Sequence, residues 1–540
     1  TDKKKLAAEI RNLKIDILIN QLELMRKTKG LEKKPTDTGK KAAAKMDLWL
    51  QTENWRNTIN KLNRLKQNKE EPFDHFDYKL DFPEVLNPYL VNGNAGFDIV
   101  IGNPPYFQLR EIDDTLQLQY RESRYFEYAK GGRLNVFQFF IPFSILHAKN
   151  EGIICLITQN SILGEETAYS NRKFIFENTE IIRFDSFPER DNTKTRVFES
   201  VKMSVAISLL RRKQININNF DVWVWKDKYM SNKMELRTSK NEIALLYPSN
   251  LIIPITSQRA LEILKSIKNH PNHYFLDSSA GEVDMTKFKN LFNLDKKGVR
   301  VYTGAQIQRY HTTDNPQQGN IVYLKESQIP KTGKFRNLMN ERIAMQRITG
   351  VDSSIRLIVT IIPAGTLCAN SLNFISNYDR RKLRYELGIL NSKLINAYFK
   401  FTSTNTNVTT TEINSIPIAS ASVTDSIQIS TIVSYLLFLK KHGFNLNTDQ
   451  LMPTYFEQIV DGMVYELYFP ELIKKHKREI ILHLGELPEF TDKMSDEQKM
   501  KICKTVFNRL NERDHPVRVN LFYMNSIPEI AIIEGKNENN

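Results

Sequence analysis

Residues Phe97 to Tyr106 read Phe-Asp-Ile-Val-Ile-Gly-Asn-Pro-Pro-Tyr, an apolar segment that ends at the tetrapeptide Asn103-Pro104-Pro105-Tyr106. The run from Asp98 to Ile101 predicts a short strand of an α/β fold. Two successive prolines fix φ and donate no hydrogen bond, so they predict a rigid, extended loop after the strand. Open α/β sheets bind their ligands beyond the carboxyl ends of the strands. The sequence therefore predicts a ligand site at the tetrapeptide.

The tetrapeptide suits a planar ligand that carries an amino group. The Asn103 side-chain oxygen and the Pro104 carbonyl can each accept one amino hydrogen of adenine. These bonds draw the nitrogen towards tetrahedral geometry and aim its lone pair at an electrophilic methyl group, so positioning and electrostatics provide the catalysis. The Tyr106 ring would stack on a base extruded from a duplex. The alternative is a strand that ends in a Pro-Pro turn with a packed tyrosine.

The composition favours a large protein with a polyanionic partner. The chain has 540 residues, and its 76 lysines and arginines exceed its 62 acidic residues, which gives a net charge of +14. Such a charge favours nucleic acid first and an anionic membrane second. No apolar run approaches the roughly 18 residues of a membrane span, and the first residues lack the apolar stretch of a signal peptide. We therefore expect a cytoplasmic protein without a membrane partner.

The cysteines and histidines indicate neither a disulfide framework nor a metal site. Cys155, Cys368 and Cys503 lie far apart in the sequence, which fits a reducing compartment. Neither they nor the nine histidines have the spacing of metal ligands. We expect no bound metal.

Changes in pattern divide the chain into four predicted parts. Apolar residues at helical spacing predict a hairpin of two helices, over 2–28 and about 40–67. Alternating strands and helices then predict a parallel sheet covered on both faces, closed by a β pair over 196–210. The predicted parts are a helical hairpin arm (1–72), an α/β domain (73–215), an α+β domain (216–420) and a helical C-terminal region (421–540), which includes a helix over 455–476.

The tetrapeptide resembles the catalytic motif of the gamma-type amino methyltransferases, the family of DNA adenine-N6 methyltransferases. Its flanks resemble type IIG (Eco57I-like) restriction-modification enzymes. The resemblance implies that Asn103, Pro104, Pro105 and Tyr106 are catalytic and that Phe198 faces Tyr106 across a flipped adenine. A packed core phenylalanine is the alternative for Phe198. The similar flanking segments are Tyr78 to Val85, Gly131 to Phe137, Gly152 to Ser161 and Val197 to Val205.

The α+β domain resembles the target recognition domain of type I and type IIG systems. This likeness implies that residues 216–420 bind double-stranded DNA through base edges and phosphates. Gln306, Arg309 and Arg347 are the candidate DNA-binding residues, and a surface or internally paired role is the alternative for each. The similar segments are Gly304 to Tyr310, Glu341 to Ile348, Gly388 to Leu394 and Ile416 to Ile418.

The resemblance also implies a cofactor, S-adenosyl-L-methionine, whose pocket this sequence encodes only in part. A complete enzyme of the family binds it with a glycine loop after a strand that precedes the catalytic strand. Residues 1–72 are helical, rich in lysine and almost free of glycine, so the cofactor-binding residues are unknown. The expected fold is therefore α/β: the C-terminal half of a Rossmann-like methyltransferase sheet, followed by the recognition domain and the helical region.

Three explanations fit a half sheet with an open central edge. The chain is the C-terminal part of a longer polypeptide, or a partner subunit completes it, or it has lost cofactor binding. The start at Thr1 favours the first, in which this chain alone is inactive and a restriction nuclease can lie upstream.

The expected function is site-specific adenine-N6 methylation of DNA in a bacterial restriction-modification or phage-defence system. A non-catalytic DNA-recognition module is one alternative. Methylation of RNA or of a protein glutamine is another, because those enzymes share the tetrapeptide.

Overall fold

The structure is a computed structural model. It describes residues 2–36, 40–68, 71, 73, 76, 78–87, 90–91, 93–213, 218–329, 333–349, 355–377, 379–402, 407–442 and 451–536. The chain divides into two compact units, Thr1–Ile99 with Leu146–Gly152, and Val100–Ile145 with Ile153–Asn540. None of the helices in the described ranges is long and apolar enough to cross a membrane.

The first unit is built on a helical hairpin. Helices α1 (Asp2–Lys29) and α2 (Lys40–Gln67) lie at the places that the sequence predicts. The Arg11 guanidinium ties them together by donating to the Leu65 carbonyl at 2.7 Å, and Lys66 pairs with Asp16 at 2.5 Å. Two short helices follow, α3 (Tyr78–Asp81) and α4 (Pro83–Leu86).

A six-stranded sheet in the order β1-β2-β4-β3-β5-β6 follows the hairpin. The strand predicted over 98–101 is present within the first of these strands, Phe97–Gly102. Four helices accompany the sheet: α5 (Asp114–Glu122), α6 (Phe126–Ala129), α7 (Phe137–His147) and α8 (Tyr169–Asn178). The strands are β1 (Phe97–Gly102), β2 (Ala148–Gln159), β3 (Thr179–Phe187), β4 (Val205–Arg212), β5 (Asn219–Trp225) and β6 (Lys233–Ser239).

The sheet is mixed, which corrects the predicted parallel sheet. Strand β4 lies between β2 and β3 and runs antiparallel to both, while β5 runs parallel to β3. The predicted β pair over 196–210 is one strand, β4, preceded by a loop. A loop of 17 residues, numbered 188–204 in the chain, is long enough to reverse direction and return the chain between two strands. Strand direction therefore depends on this loop, which strand composition does not reveal.

The predicted boundary at residue 215 falls between β4 and β5 of this one sheet. The sheet continues to Ser239, and two helices follow it, α9 (Lys240–Leu246) and α10 (Gln258–Lys268). The fully buried Arg172 of α8 holds the segment between these helices, because its guanidinium donates to the Asn250 carbonyl at 2.8 Å and to the Ile162 carbonyl at 2.9 Å.

In the described residues between α10 and position 420, the α+β region contains small sheets and three α-helices. A four-stranded antiparallel sheet has the order β14-β13-β16-β8, and a three-stranded sheet has the order β12-β9-β15. Strand β17, the last of the region, pairs antiparallel with β7, its first strand after α10. The strands are β7 (His273–Tyr274), β8 (Ser278–Ala280), β9 (Val299–Tyr302), β10 (Ile307–Gln308), β11 (His311–Thr312), β12 (Val322–Leu324), β13 (Arg342–Gln346), β14 (Val359–Ile362), β15 (Leu367–Cys368), β16 (Leu372–Ser376) and β17 (Ile418–Ala419), and the helices are α11 (Arg380–Asn391), α12 (Lys393–Thr402) and α13 (Thr410–Asn414).

The C-terminal region is helical, as predicted. The single helix predicted over 455–476 is two helices, because Pro470 starts a new one where its missing N–H is tolerated. The helices are α14 (Val423–His442), α15 (Leu451–Tyr468), α16 (Pro470–Lys475), α17 (Asp496–Leu510), α18 (Pro516–Tyr523) and α19 (Pro528–Ile533).

A glycine allows α11 to pack closely against α14. A Cβ atom at Gly388 would lie 2.9 Å from Cγ2 of Val433 and 3.2 Å from Cγ2 of Ile429. Both distances are shorter than an ordinary carbon–carbon contact of about 3.5–4.0 Å. The approach of the two helices therefore requires the absence of a side chain at residue 388.

We predict that Gly388→Ala destabilises the protein by about 1–3 kcal/mol, although alanine has the higher helix propensity. Chemical denaturation measures the change. The double variant Gly388→Ala with Val433→Ala should lose less stability than the sum of the single changes, because the second substitution makes room for the new methyl group. Strict additivity would contradict this packing.

Candidate active site

The tetrapeptide lies directly after β1, as the sequence predicts. Asn103 and Pro105 are exposed, Pro104 is buried and Tyr106 is half-buried. The Tyr106 hydroxyl lies 2.6 Å from Oδ1 of Asn103 and 2.7 Å from the Ile157 carbonyl oxygen of β2. Burial raises the pKa of Tyr106 to about 12, so the phenol stays protonated and can donate at neutral pH. The tyrosine is therefore held at its hydroxyl.

Two side chains support Tyr106 from the backbone side. Nδ2 of Asn135 donates to the Tyr106 carbonyl at 3.1 Å, and Nε2 of Gln159 approaches the same oxygen at 3.4 Å. The sequence offered only a weak signal for each, Asn135 as part of the segment Gly131 to Phe137 and Gln159 as part of the segment Gly152 to Ser161. Both roles depend on contacts that form only in the folded chain.

Phe198 lies in the loop between β3 and β4. This loop lies at the end of the sheet where β2 ends. Gln159, Val205 and Phe187 occupy one row across β2, β4 and β3, because β4 runs antiparallel to its neighbours. The loop 188–204 therefore begins and ends beside the carboxyl end of β2. The half-buried Phe198 packs against a cluster that contains Phe187, Val205 and Trp225.

Phe198 and Tyr106 lie in contact with each other in the structure. Their ring centroids are 5.9 Å apart, and the ring planes make an angle of 48°. A base stacked between two rings needs a separation of about 7 Å, twice the carbon–carbon contact distance of about 3.5 Å. The rings therefore touch in this structure and have to separate by about 1 Å to admit a base.

The loop that carries Phe198 is anchored on both sides of the ring. The guanidinium of the buried Arg196 donates to the Arg190 carbonyl at 3.2 Å and to the Glu199 carbonyl. The backbone N–H of Lys228 donates to the Thr195 carbonyl at 2.8 Å, and the Lys228 ammonium pairs with the Glu199 carboxylate. The ammonium lowers the pKa of Glu199, so the carboxylate is ionised at neutral pH.

Gln306 and Arg309, two of the three predicted DNA-binding residues, are tied into the fold of the recognition domain. Gln306 is 0% exposed, and its side-chain oxygen accepts from the Thr303 N–H at 2.9 Å. Arg309 donates to the Asn391 carbonyl at 2.7 Å and pairs with Glu457 of α15 at 3.1 Å. In this conformation neither side chain is free to meet a base edge.

Arg347 is the predicted DNA-binding residue with an accessible side chain. It is half-buried, and its guanidinium makes a long hydrogen bond of 3.3 Å to the Asn370 carbonyl. The next residue, Ile348, is exposed. None of the partners that the structure records for these three residues in the described ranges is Asn103, Tyr106 or Phe198.

Strand β1 is an edge strand of the sheet and exposes apolar side chains. Ile99 and Ile101 alternate along it and are 67% and 79% exposed. Edge strands of soluble proteins are normally short, charged or covered. No group of three His, Cys, Asp or Glu residues within the described part of the chain is placed to hold a metal.

Comparisons with known proteins identify two regions of the chain. Residues 11–193 match the family described as Eco57I restriction-modification methylase, and residues 299–418 match the TaqI-like C-terminal specificity domain. The chain thus contains a restriction-modification methylase domain of the Eco57I family followed by a specificity domain of the TaqI type.

A curated relative in Methanocaldococcus jannaschii is named as a type II restriction enzyme and methyltransferase. It is 26% identical over 475 residues, and the match covers 84% of this chain and 37% of the relative. The chain therefore spans little more than a third of the length of that relative. Among solved structures, the type IIL restriction-modification enzyme MmeI in complex with DNA gives a TM-score of 0.44 at 10% identity and covers 87% of this chain and 65% of its own. The DrdV–DNA complex gives 0.38 at 10% identity and covers 83% and 57%.

We predict that Gln306→Ala destabilises the protein by about 1–2 kcal/mol, because the Thr303 N–H loses its capping acceptor. The half-exposed neighbour Gln308 serves as the matched control, and Gln308→Ala should change stability by less than about 0.5 kcal/mol. Thermal and chemical denaturation measure both. Unchanged stability of Gln306→Ala together with weakened DNA binding would restore Gln306 as a base-contacting residue.

Proposed function

We propose that this chain is the base-holding and DNA-recognition part of a site-specific adenine-N6 DNA methyltransferase of a restriction-modification system. The observation that carries the proposal is the arrangement of Asn103, Tyr106 and Phe198 at one edge of the sheet. The amide oxygen of Asn103 lies within hydrogen-bond distance of the Tyr106 hydroxyl, and the Phe198 ring lies against the Tyr106 ring with its centroid 5.9 Å away. A flipped base requires this combination, an in-plane acceptor for its amino group and a ring on each face.

The chemistry of the residues supports an exocyclic amine as the methyl acceptor. An amide oxygen has two lone pairs, so Oδ1 of Asn103 can keep the Tyr106 hydroxyl and accept one N6 hydrogen as well. The Pro104 carbonyl makes no hydrogen bond within the described residues and can accept the second hydrogen. Both acceptors raise the electron density on N6 and direct its lone pair away from the ring plane.

S-adenosyl-L-methionine supplies the methyl group as a sulfonium when it is bound. Methyl transfer would leave the cofactor as its neutral thioether, and the proton that N6 loses would pass through the hydrogen bond to Oδ1 of the exposed Asn103 into solvent. No residue of this chain is assigned to the cofactor, because the sequence before β1 has no glycine loop. The chain's own residues hold the base and orient its lone pair.

Double-stranded DNA is the proposed partner. A specificity domain of the TaqI type follows the catalytic region, and the net charge of +14 favours a polyanion. Of the predicted DNA-binding residues, Arg347 keeps an accessible guanidinium and is the one that we propose to contact DNA.

The remaining strands of the methyltransferase sheet, with the cofactor pocket, are proposed to pair with β1 from outside this chain. The exposed Ile99 and Ile101 support this proposal, since an apolar edge strand in water is an aggregation hazard. The additional strands belong either to the same polypeptide or to a partner subunit.

We expect Asn103→Ala in the complete enzyme to lower adenine methylation by about 10²–10³-fold, the usual effect of removing one oriented polar group from an active site. Transfer of a labelled methyl group to duplex DNA measures this, with detection of N6-methyladenine in the product. Asn508→Ala, an exposed asparagine of the helical C-terminal region, is the control and should retain full activity.

Duplex affinity measured on the same proteins separates the alternatives. Asn103→Ala should bind DNA like the wild type, and affinity should fall steeply with salt because several phosphates are neutralised. If the wild-type enzyme binds duplex DNA but methylates nothing, the chain is a non-catalytic DNA-recognition module. Methylation of RNA or protein without duplex binding would refute the DNA proposal.

A second expectation concerns the edge of β1. Ile101→Lys in the complete enzyme should weaken S-adenosyl-L-methionine binding at least about ten-fold, because the ammonium would be buried without a partner once the added part of the enzyme covers β1. Calorimetry with the cofactor measures the change, and Leu245→Lys, which is also on the surface, is the control. Cofactor binding by the isolated chain with the affinity of the complete enzyme would contradict the proposed completion.

A further inference from the structure

The residues that follow the tetrapeptide, 107–109, run beside the segment 134–136. The Leu109 N–H donates to the Leu134 carbonyl at 2.9 Å, and the Val136 N–H donates to the Phe107 carbonyl at 3.0 Å. These two bonds flank an antiparallel bridge between Gln108 and Asn135. The backbone after Tyr106 is therefore clamped at fixed positions.

The Asn135 side chain joins this clamp to the start of α7. Its Nδ2 donates to the Tyr106 carbonyl at 3.1 Å, and its Oδ1 accepts from the Phe137 N–H at 3.2 Å. The amide can have only this orientation, because the reverse would set NH2 against N–H and oxygen against oxygen. Asn135 is 9% exposed, so water competes little for either bond.

Asn135 is itself held by a second amide. The Asn135 N–H donates to the side-chain oxygen of Gln138 at 2.7 Å, and Nε2 of Gln138 donates to the Thr167 carbonyl at 2.8 Å. On the other side, Gln159 at the end of β2 brings a second donor to the Tyr106 carbonyl. The Tyr106 peptide is thus held between the residues that precede α7 and the end of β2.

The direction of the Tyr106 peptide decides where its ring lies. Pro104 and Pro105 fix the backbone before Tyr106, and the Asn135 bond fixes the backbone after it. A displacement of about 1 Å at a reacting centre can lower a rate by about 10²-fold. A group that sets this angle therefore acts on the chemical step without touching the base.

We propose that Asn135 is a positioning residue, whose side-chain NH2 orients Tyr106 and the tetrapeptide for methyl transfer, with Gln159 as the second donor. The proposal deepens the proposed function and rests on it. The Phe137 bond of Asn135 is a separate, structural role at the first turn of α7.

The test compares Asn135→Asp with Asn135→Ala in the complete enzyme. Aspartate keeps an oxygen for the Phe137 N–H but loses the donor to Tyr106, whereas alanine loses both. Single-turnover methylation should fall about 10–100-fold in both variants, with duplex affinity unchanged in both. The melting temperature should fall further in Asn135→Ala, because only alanine removes the helix contact.

The conservative variant Gln159→Met removes the second donor and keeps the shape of the side chain. It should lower the single-turnover rate less than Asn135→Asp and leave duplex affinity unchanged. If Asn135→Asp fails to fold, Gln159→Met tests the positioning role alone. A wild-type single-turnover rate in Gln159→Met would then overturn the proposal.

The wild type and Asn103→Ala, assayed alongside, keep this proposal distinct from the proposed function. A wild-type enzyme that transfers no methyl group refutes the function itself. An active wild type with a folded Asn135→Asp of equal rate refutes the positioning role alone. The positioning role is also refuted if the rate falls in proportion to the melting temperature and is lowest in Asn135→Ala. The contact with the first turn of α7 would then be the role of Asn135.

Discussion

The antiparallel insertion of β4 between β2 and β3 is the constraint on which the candidate site depends. Because β4 runs against both neighbours, its first residue, Val205, lies in one row with Gln159 and Phe187 at their carboxyl ends. The loop that precedes β4 must then return to the edge where β1 and β2 end. If β4 were parallel to its neighbours, the loop would enter at the opposite edge, and Phe198 could not meet Tyr106.

The same edge is reinforced by polar groups whose partners lie in other elements. Tyr106 bonds to β2 through its hydroxyl and to Asn135 through its carbonyl, while Arg196 holds the loop of Phe198. Buried or half-buried hydrogen bonds of this kind cost free energy when they are broken, because the group left behind is unsatisfied. These hydrogen bonds thus hold this end of the sheet together with the two prolines of the loop.

The sequence predicted those parts of the structure that depend on local chemistry. The apolar run of β1, the Pro-Pro stop and the hairpin helices follow from spacing and from the properties of proline, and Phe198 followed from a resemblance. Strand direction did not follow, since the residues of β4 suit a parallel or an antiparallel strand equally. The role of Gln306 has a local signal, the capping box that it forms with Thr303. The role of Arg309 has no such signal, because Arg309 meets Glu457 only after the helical region has folded against it.

The contact between Tyr106 and Phe198 bears on how the proposed base enters. An aromatic pair of this kind contributes about 0.5–1.5 kcal/mol beyond the area it buries. A base stacked on an aromatic ring gains about 1–3 kcal/mol, and a base between the two rings stacks on both. Separation of the rings therefore costs less than the stacking that replaces it. The surplus is of the same order as the few kcal/mol needed to extrude a base from a duplex. Under the proposed function, the rings would remain in contact until a base enters and would then separate, and the hydrogen bonds of Asn103 would select the base held between them.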